Sequence, residues 1–132
     1  MIIAIDGLAG SGKSSTAKKV AAKIGFKYFS TGKMYRAITY YCITNNLILD
    51  LPNSIRDCID QLEINFGKND FNKILINNKD YSQNIYLKEV NKHVSMVSSI
   101  EQVRSVMVKL QRDASLNNNI VCEGRDIGTV VF

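Results

Sequence analysis

The sequence lacks the features typical of membrane proteins and of secreted proteins held together by disulfides. Among its 132 residues, no apolar run approaches the roughly 20 residues that a membrane-spanning helix needs. The three cysteines, Cys42, Cys58 and Cys122, are odd in number and contain no C-x-x-C pair, so we expect neither a disulfide framework nor a zinc site. The apolar residues 1–5 run directly into Asp6, so we expect no signal peptide here. We therefore expect a globular, cytoplasmic protein that does not bind membranes.

Basic residues outnumber acidic residues without forming a basic block. There are 17 Lys and Arg against 12 Asp and Glu, a net charge of +5. Nucleic-acid-binding proteins typically cluster such residues on one face or in one run, and no run of five or more occurs here. Small polyanionic ligands account for the positive balance equally well, so we expect no nucleic-acid partner. The length is that of one domain.

The most informative feature that is present is a complete G-x-x-x-x-G-K-[ST] motif directly after the first predicted strand. In this motif, called a P-loop, backbone N–H groups surround a polyphosphate. The lysine reaches the β- and γ-phosphates and the final hydroxyl binds Mg²⁺. Here Lys13 is the predicted phosphate-binding lysine, and the hydroxyl of Ser14 is the predicted metal ligand. The predicted ATP-binding residues are Gly7, Leu8, Ala9, Gly10, Ser11, Gly12, Lys13, Ser14 and Ser15.

The surrounding sequence supports a phosphate site. Residues 14–24 place apolar side chains at helical spacing, and Gly25 follows as a helix terminator. The loop is therefore expected to join a strand to a helix whose positive dipole end points at bound phosphate. The alternative is a glycine-rich turn that matches the motif by accident, which should occur about once in a few hundred chains of this length.

The predicted elements are typical of an α/β fold, a P-loop NTPase-type parallel sheet flanked by helices. Strands are expected at 1–5, 27–29 and 120–122, and helices at 14–24, 34–45, 55–61, 89–97 and 100–114. Between 62 and 86 the apolar pattern changes to short alternating runs, which predict a small antiparallel insert with strands at 62–66, 73–76 and 84–86. We therefore divide the chain into a first part of the core (1–61), an insert (62–88) and a second part of the core (89–132).

Polar residues follow three of the predicted parallel strands. Ligands of open α/β sheets bind outside the carboxyl ends of the strands. The first end carries the P-loop, the second carries residues 30–32 and leads to Arg36, and the third carries Glu123, Arg125 and Asp126. Two arginines opposite a triphosphate cradle suit a second anionic substrate, because a guanidinium donates to phosphate oxygens in pairs. The alternative is a pair of surface arginines beside a carboxylate that caps a helix.

At this point the sequence resembles the bacterial cytidylate kinase family, and the resemblance runs along the whole chain. It is carried by IAIDG at 3–7, STGKMYR at 30–36, VR at 103–104, QR at 111–112 and EGRDIGTVVF at 123–132. The run from GRD onwards is specific to this family among nucleoside monophosphate kinases. The predicted insert resembles the family's CMP-binding domain.

The resemblance implies phosphoryl transfer from ATP, accompanied by Mg²⁺, to CMP or dCMP, which gives ADP and CDP or dCDP. It implies that Lys13, Arg36 and Arg125 are catalytic, with both arginines on the CMP phosphate. The implied CMP-binding residues are Thr31, Arg36, Ser95, Arg104, Arg125 and Asp126. Of these, Thr31 and Asp126 lie near the cytosine amino group, and Ser95 and Arg104 contact other polar edges of the base.

Two alternatives stay open: another small-molecule P-loop kinase, and a nucleotide-binding module without turnover. In the resembled family, further strands, a lid helix with arginines and an adenine-contacting loop follow the position of Phe132. We expect the full-length form to be a monomer. A chain that stopped at Phe132 would be poorly active and would tend to self-associate, because the strand at 2–5 would become an exposed apolar edge.

Overall fold

The computed structural model describes residues 1–8 and 12–125 of the chain. Within these residues there are six strands: β1 (Ile2–Asp6), β2 (Lys27–Ser30), β3 (Ile64–Phe66), β4 (Ile74–Ile76), β5 (Lys79–Asp80) and β6 (Ile120–Gly124). Strands β1, β6 and β2 form a parallel sheet in that order, and β3, β4 and β5 form an antiparallel one. The parallel sheet with a small antiparallel companion confirms the predicted fold class.

Five α-helices connect these strands in the described part of the chain: α1 (Lys13–Ile24), α2 (Thr31–Thr44), α3 (Asn53–Cys58), α4 (Lys88–Ser99) and α5 (Glu101–Ser115). Helix α1 ends where the sequence predicts, because Gly25 adopts a φ of 73° and its N–H donates to the carbonyl of Ala21. Helix α2 begins three residues earlier than predicted. The cause is Ser30, whose side chain caps the helix by accepting from the N–H of Lys33.

Strand β6 lies between β1 and β2 and separates two layers of side chains. All five of its residues are buried, as expected for the middle strand of a parallel sheet. Because strand side chains alternate between the two faces, Val121 packs with Ala17 and Ala21 of α1. Ile120 and Cys122 face the opposite, larger core. The helices therefore cover both faces of the parallel sheet.

The larger core joins the two sheets. It includes Phe29 of β2, Met34 and Ile38 of α2, Val103 and Met107 of α5, and Ile74 and Ile76 of β4. Three aromatic rings make the junction: Phe29 lies 5.5 Å from Phe66 and 6.3 Å from Phe71 between ring centroids, and the latter two rings stack at 5.1 Å. The small sheet is therefore packed into the main core and does not form a separate layer of its own.

The small sheet differs from the prediction in its third strand. That strand is β5 (Lys79–Asp80), directly after β4, and not residues 84–86. Asn77 and Asn78 have φ values of 51° and 65°, so the chain reverses in a two-residue turn immediately after β4. Residues 84–86 lie in the turns that precede α4, with Ile85 buried. The prediction for 84–86 was wrong because the Asn-Asn pair was not recognised as a hairpin turn.

Two further boundaries differ from the sequence expectation. The helix expected at 55–61 is α3 (Asn53–Cys58) followed by a 3₁₀ turn at Ile59–Gln61. The strand expected at 62–66 is shorter, at Ile64–Phe66. Within the described residues, β1 pairs only with β6, so its other edge makes no ladder there. None of the helices in the described ranges combines the length and hydropathy needed to cross a membrane.

Candidate active site

The P-loop lies at the carboxyl end of β1 and leads into α1, as its motif requires. The N–H of Gly7 donates to the carbonyl of Gly124 at 3.2 Å, which fixes the start of the loop against β6. Gly12 adopts a φ of 82°, a conformation that favours glycine, and α1 starts at the next residue. The predicted loop residues Ala9, Gly10 and Ser11 lie outside the described residues.

The N-terminus of the helix that follows the loop has charges suited to an anion. The first turn of α1 contains no acidic residue, so no side chain of the turn itself offsets the partial positive charge of the helix N-terminus. Lys13 is the first residue of the helix and its Nζ donates to the carbonyl of Leu8 at 3.2 Å. The ammonium therefore reaches back to the residue that begins the undescribed part of the loop. Leu8 and Ser15 are exposed.

A buried carboxylate contacts the predicted metal ligand. The hydroxyl of Ser14 donates to Oε1 of Glu123 at 2.9 Å, and the hydroxyl of Tyr28 donates to the same oxygen at 3.2 Å. Glu123 is only 2% exposed. Burial raises the pKa of Tyr28 to about 12, and the charge of Glu123 adds to this effect. Tyr28 therefore stays protonated at neutral pH and remains a hydrogen-bond donor to the carboxylate.

Glu123 is not among the site residues predicted from the sequence, although it stands at the end of the third predicted parallel strand. The signal for it in the sequence is an acidic residue that directly follows a buried apolar run, Ile120 to Cys122, in a chain with a P-loop. What the sequence does not reveal is the contact with Ser14 and Tyr28, which come from two other elements.

The residues around Glu123 suit Mg²⁺. Mg²⁺ prefers oxygen ligands and is usually bound by one or two carboxylates together with substrate phosphates and water. The Ser14 hydroxyl and the Glu123 carboxylate supply such oxygens at one point. Among the described residues there is no group of three or more His, Cys, Asp or Glu that would form an all-protein cage. The donor set therefore fits a metal shared with a nucleotide.

Thr31 lies on the opposite side of the same strand end. Its hydroxyl donates to the main-chain carbonyl of Glu123 at 3.2 Å, and the residue is 6% exposed. A loop of the small sheet reaches the same place, because Asn72 accepts from the N–H of Ser30 and donates to the carbonyl of Tyr28, both at 3.2 Å. The small sheet is thus hydrogen-bonded to the carboxyl end of β2, a contact that the sequence did not predict.

Arg36 extends from α2 towards the segment that leads from the small sheet into α4. Its Nη1 donates to the carbonyl of Ile85 at 3.0 Å and to Oδ1 of Asn91 at 2.6 Å. Its Cζ lies 5.0 Å from the centroid of the Tyr86 ring. The guanidinium is therefore held from three directions by residues that were not predicted as part of the site.

The remaining predicted CMP-binding residues are more dispersed. Ser95 is an exposed residue of α4 whose carbonyl accepts from the hydroxyl of Ser98 at 3.1 Å. Arg104 of α5 lines an open cavity of about 480 Å³. Burial raises the pKa of Tyr35, and the charge of Arg104 partly offsets that rise. Arg125 is exposed directly after β6, and Asp126 lies outside the described residues.

The structure thus brings Ser14 and Thr31 together at the end of β6, where Glu123 contacts both, and Lys13 precedes Ser14 in the first turn of α1. No contact within the described ranges joins Ser95 to this group, and its predicted role depends on the sequence alone. The arrangement is the start of the helix after the P-loop motif next to a buried carboxylate.

A comparison with models of protein families shows to which family the chain belongs. The model of the cytidylate kinase family matches residues 3–132. The chain belongs to the cytidylate kinase family. This confirms the resemblance found in the sequence.

Curated relatives point the same way. The chain is 45% identical over 132 residues to a cytidylate kinase of Fusobacterium nucleatum subsp. nucleatum, an alignment that covers 100% of this chain and 59% of the relative. It is 44% identical over 133 residues to a cytidylate kinase of Halalkalibacterium halodurans, with 100% of this chain and 60% of the relative covered. It is 42% identical over 131 residues to a cytidylate kinase of Aster yellows witches'-broom phytoplasma, with 98% of this chain and 57% of the relative covered. The chain therefore spans less than two thirds of the length of the curated relatives it matches.

Proposed function

We propose that the protein transfers a phosphoryl group from ATP to CMP or dCMP, which gives ADP and CDP or dCDP. The observation that carries the proposal is the hydrogen bond between Ser14 of the P-loop and the buried Glu123, in a chain that belongs to the cytidylate kinase family. A P-loop hydroxyl beside an acidic residue at a neighbouring strand end is the arrangement that P-loop NTPases use to hold Mg²⁺ and nucleotide.

On the donor side, Lys13 and the N-terminus of α1 bind the phosphates of ATP. The ammonium of Lys13 moves from the Leu8 carbonyl to the β- and γ-phosphate oxygens, where it offsets their charge during transfer. Ser14 and Glu123 would hold Mg²⁺, which supplies further neutralisation of these oxygens when bound. Tyr28 holds the Glu123 carboxylate from the opposite side.

On the acceptor side, we assign the CMP phosphate to Arg36 and Arg125, and the base to Thr31, Ser95, Arg104 and Asp126. The second pKa of such a phosphate is about 6, so CMP arrives as a dianion and its attacking oxygen needs no general base. The protein then contributes alignment of the two phosphates and stabilisation of charge in the transferring group.

Selection of cytosine over uracil follows from Asp126. Its carboxylate accepts a hydrogen bond from the cytosine N4 amino group, whereas it would face a carbonyl oxygen if uracil entered. Two acceptors would then be left unpaired, which disfavours the wrong base. We also assign residues 62–88 to the CMP-binding insert, between the core segments 1–61 and 89–132. The hydrogen bonds of Asn72 to the end of β2 support this assignment.

A coupled assay of ADP release tests the proposal, with CMP, dCMP and UMP as acceptors. We expect release with CMP or dCMP and much less with UMP. Lys13→Ala should abolish transfer with little change in thermal midpoint, because Lys13 makes its one described side-chain hydrogen bond to the loop carbonyl of Leu8. The exposed Lys19→Ala on the same helix is the matched control.

The outcomes separate the alternatives. ATP binding without acceptor-dependent ADP release would make the protein a nucleotide-binding module. ADP release that requires an acceptor other than a cytidine nucleotide would make it another small-molecule P-loop kinase. A Lys13→Ala protein with most of its parent's turnover would contradict the role of the P-loop.

A further inference from the structure

Within residues 1–8 and 12–125, the guanidinium of Arg36 is hydrogen-bonded on one side only. Nη1 has two hydrogens, and it donates to the carbonyl of Ile85 at 3.0 Å and to Oδ1 of Asn91 at 2.6 Å. No hydrogen bond joins Nη2 or Nε to any residue that the structure describes. Among the described residues, one nitrogen is thus fully used, and the edge formed by the other two is open to a ligand.

Tyr86 fixes the plane of the same group. The Cζ of Arg36 lies 5.0 Å from the centroid of the Tyr86 ring, within the range of a cation–π contact. The two hydrogen bonds restrict rotation about the end of the side chain, and the ring restricts the tilt of the guanidinium. The direction of the Nη2–Nε edge is therefore set before any ligand arrives.

We propose that Asn91 and Tyr86 are positioning residues, which orient Arg36 so that its Nη2–Nε edge meets the CMP phosphate. The inference rests on the proposed function, in which Arg36 binds that phosphate. Two parallel N–H groups on one edge match two phosphate oxygens. A long side chain that is already ordered loses less conformational freedom on binding, which raises affinity without adding a contact.

The two residues are suited to a test because both are exposed. Asn91 is exposed, and the hydrogen bond of its side chain goes to Arg36. The Tyr86 side chain is on the surface, with the residue 65% exposed. Substitution at such positions usually changes stability little, so a loss of CMP affinity would reflect the changed guanidinium.

The experiment is equilibrium binding of CMP and of cytidine, which lacks the phosphate, by calorimetric competition. We expect Asn91→Ala to weaken CMP binding about three- to tenfold and to leave cytidine binding unchanged. Asn91→Ala should have no further effect in an Arg36→Ala background, because a positioning residue acts only through its partner. The exposed Asn53→Ala of α3 is the matched control.

A second pair of variants keeps the test independent of Asn91. Tyr86→Ala should weaken CMP binding about two- to fivefold. Tyr86→Phe keeps the ring face, so it should bind CMP with the affinity of the parent. All variants should unfold at the same temperature as the parent.

Three results would overturn the inference. The first is unchanged or tighter CMP binding by Asn91→Ala, and the second is an equal loss of affinity for CMP and cytidine. The third is that Asn91→Ala weakens CMP binding as much in the Arg36→Ala background as in the parent. Tighter binding would mean that Asn91 competes with the phosphate for Arg36. A parent protein that does not bind CMP would refute the proposed function itself, and the inference with it.

Discussion

The hydroxyl of Ser14 and Oε1 of Glu123 lie 2.9 Å apart, although 109 residues of sequence separate them. The hydrogen bond links the first turn of α1 to the end of β6. Because Glu123 is buried and Tyr28 donates to the same oxygen, the carboxylate has a fixed place beside the P-loop. The position of this carboxylate relative to the loop is therefore built into the fold before any nucleotide binds.

Removal of the Tyr28 hydroxyl should disturb that position. Tyr28→Phe deletes one of two side-chain donors to Glu123, so the carboxylate gains freedom. We expect a loss of about 1 kcal/mol in the free energy of unfolding and a severalfold rise in the Mg²⁺ concentration for half-maximal rate. Chemical denaturation and an Mg²⁺ titration at fixed ATP measure the two effects.

Tyr41→Phe is the control for this experiment, because Tyr41 packs edge-on against Tyr81 in the larger core. An Mg²⁺ dependence that is the same in Tyr28→Phe and in the parent would show that Tyr28 does not position Glu123 for the metal.

Loss of either arginine that we assign to the CMP phosphate should affect one substrate only. Arg36→Ala or Arg125→Ala removes a charge-assisted hydrogen bond worth about 1.5–3 kcal/mol, so CMP affinity should fall roughly tenfold to a hundredfold. ATP affinity should barely change. Titrations of both nucleotides measure this, with the exposed Arg56→Ala of α3 as control. If both nucleotides lost affinity equally, the arginines would be structural.

Asp126 should control the choice of base. This prediction is drawn from the sequence, since Asp126 lies outside the described residues. Asp126→Asn should reduce the preference for CMP over UMP, because an amide can turn its NH₂ group towards a carbonyl whereas a carboxylate only accepts. The ratio of kcat/KM for CMP and UMP is the measurement. A proportional fall for both substrates would exclude Asp126 from base recognition.

The cysteines should differ in reactivity for reasons of burial. Burial raises the pKa of Cys42 and of Cys122 to about 12, so very little of either thiol is ionised at pH 8, and the thiolate is the reactive form. The pKa of Cys58 is also raised by its partial burial, but its side chain is more accessible than the other two.

Iodoacetamide should therefore label Cys58 first in the native protein, and peptide mass spectrometry would show the order. All three cysteines should react in denaturant. Native labelling of Cys122 as fast as that of Cys58 would contradict the buried position of β6.

Local features of the sequence predicted the fold well. Helix α1 was predicted to within one residue at its start, because apolar spacing and Gly25 define it without reference to the rest of the chain. The strand–loop–helix around the P-loop was identified for the same reason. The third strand of the small sheet was placed wrongly, since the turn at Asn77 and Asn78 depends on a left-handed backbone that asparagine adopts only in some contexts.

The candidate site was less accessible to prediction from the sequence. Motifs located Lys13 and Ser14, but the partners of Arg36 were missed. Ile85 contributes a backbone carbonyl, which carries no signal in the sequence, and Asn91 lies 55 residues away. Contacts of this kind depend on how the insert packs against α2, and neither spacing nor composition encodes that geometry.

The three aromatic rings that join the two sheets have a consequence for exchange of backbone hydrogens. Phe29 belongs to the parallel sheet, whereas Phe66 and Phe71 belong to the small sheet and its loop. Separation of the sheets would expose all three rings, together with Ile74 and Ile76. Local opening of the small sheet alone is therefore costly, and its amides should exchange at rates close to those of β6, as one cooperative unit. By the same reasoning, a peptide of residues 62–88 should not hold its hairpin in water, because the surface that orders it belongs to the rest of the chain.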